Sequence, residues 1–212
     1  MAKHIITLSL IFSSFLLFAQ EKQKGLFSKL EYGINLGWGH EENFLFDDPD
    51  YSYDVAFHKL QLYFPLKSKG RLSYEILIQP EINTAKHQLH NYFFVTPDED
   101  DYLAKRALFT QRRTFTEYVF NIGFLVRKPI FHKLNGYALL SVGPSIINKE
   151  SERLAKGFAF SDNFALGLNY DVLHHITLDL RAVLRHVSNA DLQLPNGGYN
   201  TLNFEVGLRY KR

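Results

Sequence analysis

From Lys29 onward, apolar side chains alternate with small or polar ones in stretches of about ten residues, the period of extended chain whose two faces meet different surroundings. Eight such stretches can be drawn, at 29–40, 53–64, 71–84, 116–127, 135–148, 157–170, 175–189 and 201–211. In the first, Leu30, Tyr32, Ile34, Leu36 and Trp38 share a face opposite Glu31, Gly33, Asn35, Gly37 and Gly39. The fourth sets Tyr118, Phe120, Ile122, Phe124 and Val126 against Glu117, Asn121 and Gly123. In the sixth, Phe158, Phe160, Phe164, Leu166 and Leu168 oppose Ala159, Ser161, Asn163 and Gly167; in the last, Leu202, Phe204, Val206, Leu208 and Tyr210 oppose Asn203, Glu205, Gly207 and Arg209.

A soluble barrel also alternates, but it turns its long charged side chains to water. Here the polar face mixes small residues with isolated carboxylates and amides, which suits the cramped, hydrogen-bonded lumen of a small barrel. The bulky face then meets lipid, which accounts for an aromatic content of 15%, with 19 Phe and 12 Tyr. Connections alternate as well: 65–70, 128–134 and 171–174 are short, whereas 41–52, 85–115 and 190–200 are long and 149–156 is intermediate. Short periplasmic turns opposite longer outer loops mark an outer-membrane barrel. The expected fold is therefore an all-β, eight-stranded antiparallel transmembrane barrel in the bacterial outer membrane, formed by residues 20–212 as one domain. The alternative on architecture alone is a soluble, lipocalin-like carrier.

The N-terminus agrees with that destination. Lys3 supplies a positive start, Ile5 to Phe18 is almost wholly apolar, and Ala19 is a small residue before Gln20 and a charged stretch. This pattern is that of a secretory signal peptide over residues 1–19; the apolar run is too short for the roughly 20 residues that a spanning helix needs. Basic and acidic side chains nearly balance, 24 against 22 for a net charge of +2, which argues against a nucleic-acid partner. Cysteine is absent, so disulfides, thiolate metal sites and thiol nucleophiles are excluded.

Chemistry-bearing residues gather near the C-terminus. In the seventh stretch Leu178, Leu180, Ala182 and Leu184 share the outward face, with Asp179, Arg181 and Arg185 turned inward. Two further steps along the outward stripe reach His186 and Ser188. Residues two apart on a strand share a face, so an imidazole can take the proton of a hydroxyl as it attacks an ester. Asn189 follows, where its amide could help to stabilise an oxyanion. A turn signature, Pro195-Asn196-Gly197-Gly198, then returns the chain and brings Asn200 alongside.

The segment His186-Val187-Ser188-Asn189-Ala190, with that turn and Asn200, resembles the PagL-type lipid A deacylases, a family of outer-membrane acyloxyacyl hydrolases. The motif covers about the last 25 residues, and the eight-strand plan matches the mature chain. The resemblance implies Ser188 as nucleophile, His186 as general base and Asn189 as an oxyanion contributor, acting on an ester-linked acyl chain of lipid A in the outer leaflet, with no metal or cofactor and no protein partner. The best-characterised form carries a glutamate as the histidine-orienting member, and the matching position here is Asn200. Asparagine can accept a hydrogen bond from the ring and set its tautomer, but it cannot offset imidazolium charge. Glu205, the nearest carboxylate on the last stretch, has inward parity, so Asn200 is the expected third member. The alternative function is a non-catalytic small barrel with a structural, adhesive or porin-like role.

Other polar groups read as ordinary. His87 and His90 fall in a polar loop without a carboxylate pair and are expected to be solvated surface; His174 and His175 fall in a periplasmic turn and are expected to be exposed. Tyr32, Trp38, Tyr118 and Tyr210 read as lipid-facing aromatics. In the 85–115 loop, Asp98 to Asp101 precede Lys105, Arg106, Arg112 and Arg113. That order suits a short helix through its dipole, or cations that meet lipopolysaccharide phosphates.

Overall fold

A computed structural model describes residues 29–41 and 48–211; the expected signal peptide lies outside the described residues. Eight strands run β1 (Glu31–His40), β2 (Tyr51–Pro65), β3 (Ser73–Leu89), β4 (Arg113–Phe131), β5 (Leu134–Ile147), β6 (Gly157–Asp171), β7 (Ile176–Ser188) and β8 (Tyr199–Tyr210). Each pairs antiparallel with the next, and β1 closes on β8, so no strand edge is left for lipid to meet. Among the described residues no helix is long and apolar enough to cross a membrane.

The parity read from the sequence is realised. Along β1 the residues with apolar side chains are exposed, while Gly33, Asn35, Gly37 and Gly39 are buried; Tyr32, Trp38, Tyr118 and Tyr210 are all on the outer surface. Strand limits are less well anticipated. β3 continues to Leu89 and β4 starts at Arg113, where 84 and 116 were expected, because their ladder runs on through Ala85↔Phe115 and His87↔Arg113. Backbone pairing needs no apolar outward stripe once the strands leave the hydrocarbon layer. The remaining loop contains the short helix α1 (Tyr102–Phe109).

β2 departs from the common pattern. Its lumen face carries Tyr51, Tyr53, Phe57 and Tyr63, while Ser52, Asp54 and His58 point outward. Tyr51 and Tyr53 form an aromatic plug at the loop end of the barrel, while Tyr63 lies at the other end, across from Glu31. Tyr53 stacks on Tyr199 with ring centres 4.1 Å apart and on His87 at 4.4 Å. His87 is thus not solvated: it sits on β3, buried, with Nε2 2.7 Å from Glu152 and Nδ1 3.0 Å from the Ser52 carbonyl. Its strand continues farther than the polar sequence suggested, and its odd parity points it inward. His90 is exposed, as expected. His174 and His175 are exposed too, although the turn lets their rings meet edge to face at 4.4 Å.

Below the plug, ion pairs fill the lumen. Lys59 bridges Glu81 (3.1 Å) and Glu205 (2.7 Å), Arg181 bridges Asp179 and Glu205 (3.2 Å each), and Arg185 lies 2.7 Å from Glu117. Arg209 and Arg127 share Glu75. Glu205 has the inward direction that its parity required.

Of the two readings of the longest loop, the short helix is present as α1, and each of the four cations has a partner within the protein. Arg106 is buried, donates to the Val95 carbonyl at 2.8 Å and lies over the Tyr92 and Tyr102 rings. Lys105 pairs with Glu99, Arg112 with Asp54, and Arg113 donates to the Glu150 carbonyl. Lys105 thus reaches back to an acid that precedes α1, whereas Arg112 and Arg113 tie the loop to β2 and to the 148–156 loop.

Candidate active site

The outward stripe of β7 ends at the loop end of the barrel with His186 and Ser188, both half-buried. Asn200 is the direct cross-strand partner of His186 on β8. The strand extends far enough toward its N-terminus to include this residue, as the parity argument required. Asn200 Oδ1 lies 2.7 Å from His186 Nδ1. An amide oxygen accepts only, so Nδ1 carries the proton and Nε2 is left with a lone pair. Among the described residues, Ser188 Oγ and His186 Nε2 are not hydrogen-bonded to each other or to any other protein group.

Gly198 forms the floor of this pair. Its φ is +61°, in the left-handed region where glycine alone avoids a Cβ penalty. A methyl group there would sit 2.5 Å from the Val187 carbonyl oxygen, 3.2 Å from Ser188 Cβ and 3.3 Å from His186 Cε1. The Ser188 Cβ and the His186 ring therefore both border this glycine. Gly198→Ala is expected to slow any reaction at this pair about 10²-fold by displacing them, as misplacements near 1 Å do, with the barrel still folded; an unchanged rate in the purified protein would show that the floor is not needed.

A neighbouring loop holds Gly198 in place. Gly198 N donates to the Arg153 carbonyl (3.1 Å) and Arg153 Nε donates back to the Gly198 carbonyl (3.0 Å). Ala155 N donates to the Pro195 carbonyl at 3.0 Å, so the 148–156 and 189–198 loops are laced together. Arg153 also lies 4.3 Å above the Tyr51 ring. The aromatic plug, Arg153 and Gly198 thus form a continuous support beneath the pair.

Asn189 has a different position from the one expected. Next after an outward residue, it turns inward and is fully buried. Its amide donates to the carbonyls of Gln193 (2.8 Å) and Pro195 (3.3 Å), and its backbone N–H donates to Asn196 Oδ1 at 2.7 Å. As folded, the Asn189 side chain is not brought to Ser188. It pins the loop that carries Gly198.

One polar residue in the wall escaped the sequence reading. Asp162 lies on the outward face of β6, exposed, between Phe160 and Phe164, and the register sets it directly opposite His186. A lone carboxylate interrupting an apolar stripe was the available signal. Its meaning depended on which residue of β7 lay across from it.

An open groove of about 620 Å³ leads away from His186 and Asn200 around the barrel wall. Phe164, Leu184, Val142, Leu140, Ile122 and Phe124 contribute to its lining, with Asp162 beside the imidazole. The arrangement offers an oriented imidazole at the head of an open apolar trough, with the half-buried Ser188 two residues farther along the same face.

No curated protein matches the sequence. Among solved structures, the crystal structure of the outer membrane enzyme PagL superposes with a TM-score of 0.58 at 11% identity, over 82% of this chain and 97% of that one. Neisserial surface protein A gives 0.44 at 11% identity, over 86% and 96%. Ail, the attachment invasion locus protein of Yersinia pestis, gives 0.41 at 10% identity, over 87% and 99%. Likeness at such identities is one of fold. The sequence itself, over residues 99–209, matches the family described as lipid A 3-O-deacylase (PagL), a span that includes more than half of the chain and all of His186, Ser188, Gly198 and Asn200; this outer-membrane β-barrel belongs to that family.

Proposed function

We propose that the protein is a serine esterase that removes an ester-linked acyl chain from lipid A in the outer leaflet. The carrying observation is the His186–Asn200 hydrogen bond, which leaves Nε2 free on the outward face beside Ser188. In the proposed reaction Ser188 Oγ attacks the ester carbonyl carbon while its proton passes to His186 Nε2. The tetrahedral intermediate collapses by breaking the bond to the sugar oxygen, which takes the proton from Nε2 as it leaves. Water repeats the sequence on the acyl-enzyme: its proton goes to Nε2, its oxygen bonds the acyl carbon, and the proton returns to Ser188 as the fatty acid departs.

The Ser188–His186 contact forms by rotation of the serine about χ1 as the ester seats itself, since catalytic hydrogen bonds commonly tighten only with substrate bound. Stabilisation of the oxyanion by Asn189 then requires its amide to leave Pro195, the longer of its two bonds. The location of the site explains access. An acyl chain in the outer leaflet already lies against the barrel wall, so the apolar trough receives it laterally and the substrate never enters the lumen. The lumen is filled by paired charges, which disfavours a porin-like role.

Lipid A from cells with and without the protein should differ by the mass of one ester-linked acyl group, at the 3-O position if the family description holds for this chain. Identical mass spectra from cells shown to contain the folded barrel would leave it a non-catalytic wall protein.

A further inference from the structure

Asn200 orients His186 but is neutral. Once the imidazole has taken the serine proton, it bears a positive charge beside an apolar trough where little water can offset it. A counter-charge should therefore be sought among the groups facing the ring. From β8 the facing residue is Asn200, uncharged. On β7 itself Arg185 is turned into the lumen and committed to Glu117. Arg153, from the 148–156 loop, is held by Gly198 and Tyr51. From β6 the facing residue is Asp162.

Three observations make Asp162 more than a surface carboxylate. It sits within the lipid-facing stripe, between Phe160 and Phe164, where acidic side chains are disfavoured. It makes no hydrogen bond or ion pair to any described residue. It also lines the groove that contains His186 and Asn200. Residues directly opposite across an antiparallel pair have Cβ atoms about 4.5–5.5 Å apart, so the carboxylate and the imidazole are neighbours through register alone.

We propose that Asp162 is the charge-bearing positioning residue of the site, flanking His186 on the side opposite Asn200 and stabilising the imidazolium that forms during acyl transfer. The histidine's two usual requirements, a fixed tautomer and a counter-charge, are divided between two strands: Asn200 on β8 supplies the first and Asp162 on β6 the second. This rests on the esterase reading above.

The test compares variants of the purified full-length barrel in detergent, with lipid A as substrate and folding checked by heat-modifiable gel mobility. Asp162→Asn keeps the shape and removes the charge; its kcat should fall 10- to 100-fold with KM changed less than about threefold, whereas Asp162→Glu should retain most of the rate. A carboxylate at position 200 would lie within bonding reach of Nδ1, so adding Asn200→Glu to Asp162→Asn should recover at least tenfold. A full rate in Asp162→Asn, an equal loss in Asp162→Glu, or no recovery on adding Asn200→Glu would each overturn the assignment. Should Ser188→Ala retain activity, the esterase reading itself fails; should Ser188→Ala be inactive while Asp162→Asn is not, only the role of Asp162 is lost.

Discussion

Replacing Ser188 with alanine is expected to reduce lipid A deacylation by about 10⁴-fold or more, because the acyl-enzyme route loses its only attacking atom. His186→Ala should be as severe: without a base beside it, the serine hydroxyl is a weak nucleophile at neutral pH. The two residues act as one unit, so the double variant should be no slower than either single one. Both side chains lie on the outer surface and neither takes part in the lumen network. Each variant should therefore still fold into a heat-modifiable barrel. Mass analysis of lipid A after incubation with purified protein reads the outcome, and near-normal hydrolysis by either variant would remove this site as the place of reaction.

The second large effect concerns stability. Arg185 is fully buried; it donates to Glu117 at 2.7 Å and to Ser161 at 3.1 Å and lies 3.8 Å from Glu81. Glu117 also accepts from Tyr199 and Asn83. Arg185→Leu removes the cation and leaves the buried Glu117 carboxylate without its ionic partner, while Glu81 keeps Lys59. Breaking one side of a buried pair costs about 3–5 kcal/mol. Arg185→Leu should lower the unfolding free energy by that amount in a urea titration followed by gel mobility. Removing Glu117 as well, in Arg185→Leu/Glu117→Leu, should recover much of the loss, because the unpaired charge rather than the missing bond is the main cost. A single variant within about 1 kcal/mol of the parent would mean that water reaches Glu117 and screens it.

These two predictions concern adjacent residues of one strand and show how the strand divides its work. Arg185 points inward and holds the barrel together. His186 points outward and meets substrate. A one-residue slip in register would exchange them, turning a guanidinium to lipid and an imidazole to the salt-bridged lumen. The site thus depends on the same pairing that closes the barrel, and Gly198, under His186 and Ser188, depends on loops that can lace together only after closure.

Much was legible in the chain before folding was considered. The period of two, the length of each stretch and the alternation of short and long connections specified an eight-stranded lipid-facing barrel, because a strand with one face in hydrocarbon has little freedom in which residues it places there. Parity alone turned His186, Ser188 and Asn200 outward and Glu205 inward. What parity could not decide was which residue lies beside which. His87 looked like loop and is buried against Glu152, because β3 continues past the apolar pattern. Arg106, read either as part of a short helix or as a phosphate ligand, is in the helix and buried against aromatic rings. Asn189, read as an oxyanion donor, is turned inward with its amide on the Gln193 and Pro195 carbonyls. Asp162 went unremarked until register set it across from His186. Facing is a property of a single strand and can be read along it; neighbourhood is a property of pairs of strands and of loops crossing between them, and it exists only once the sheet has closed.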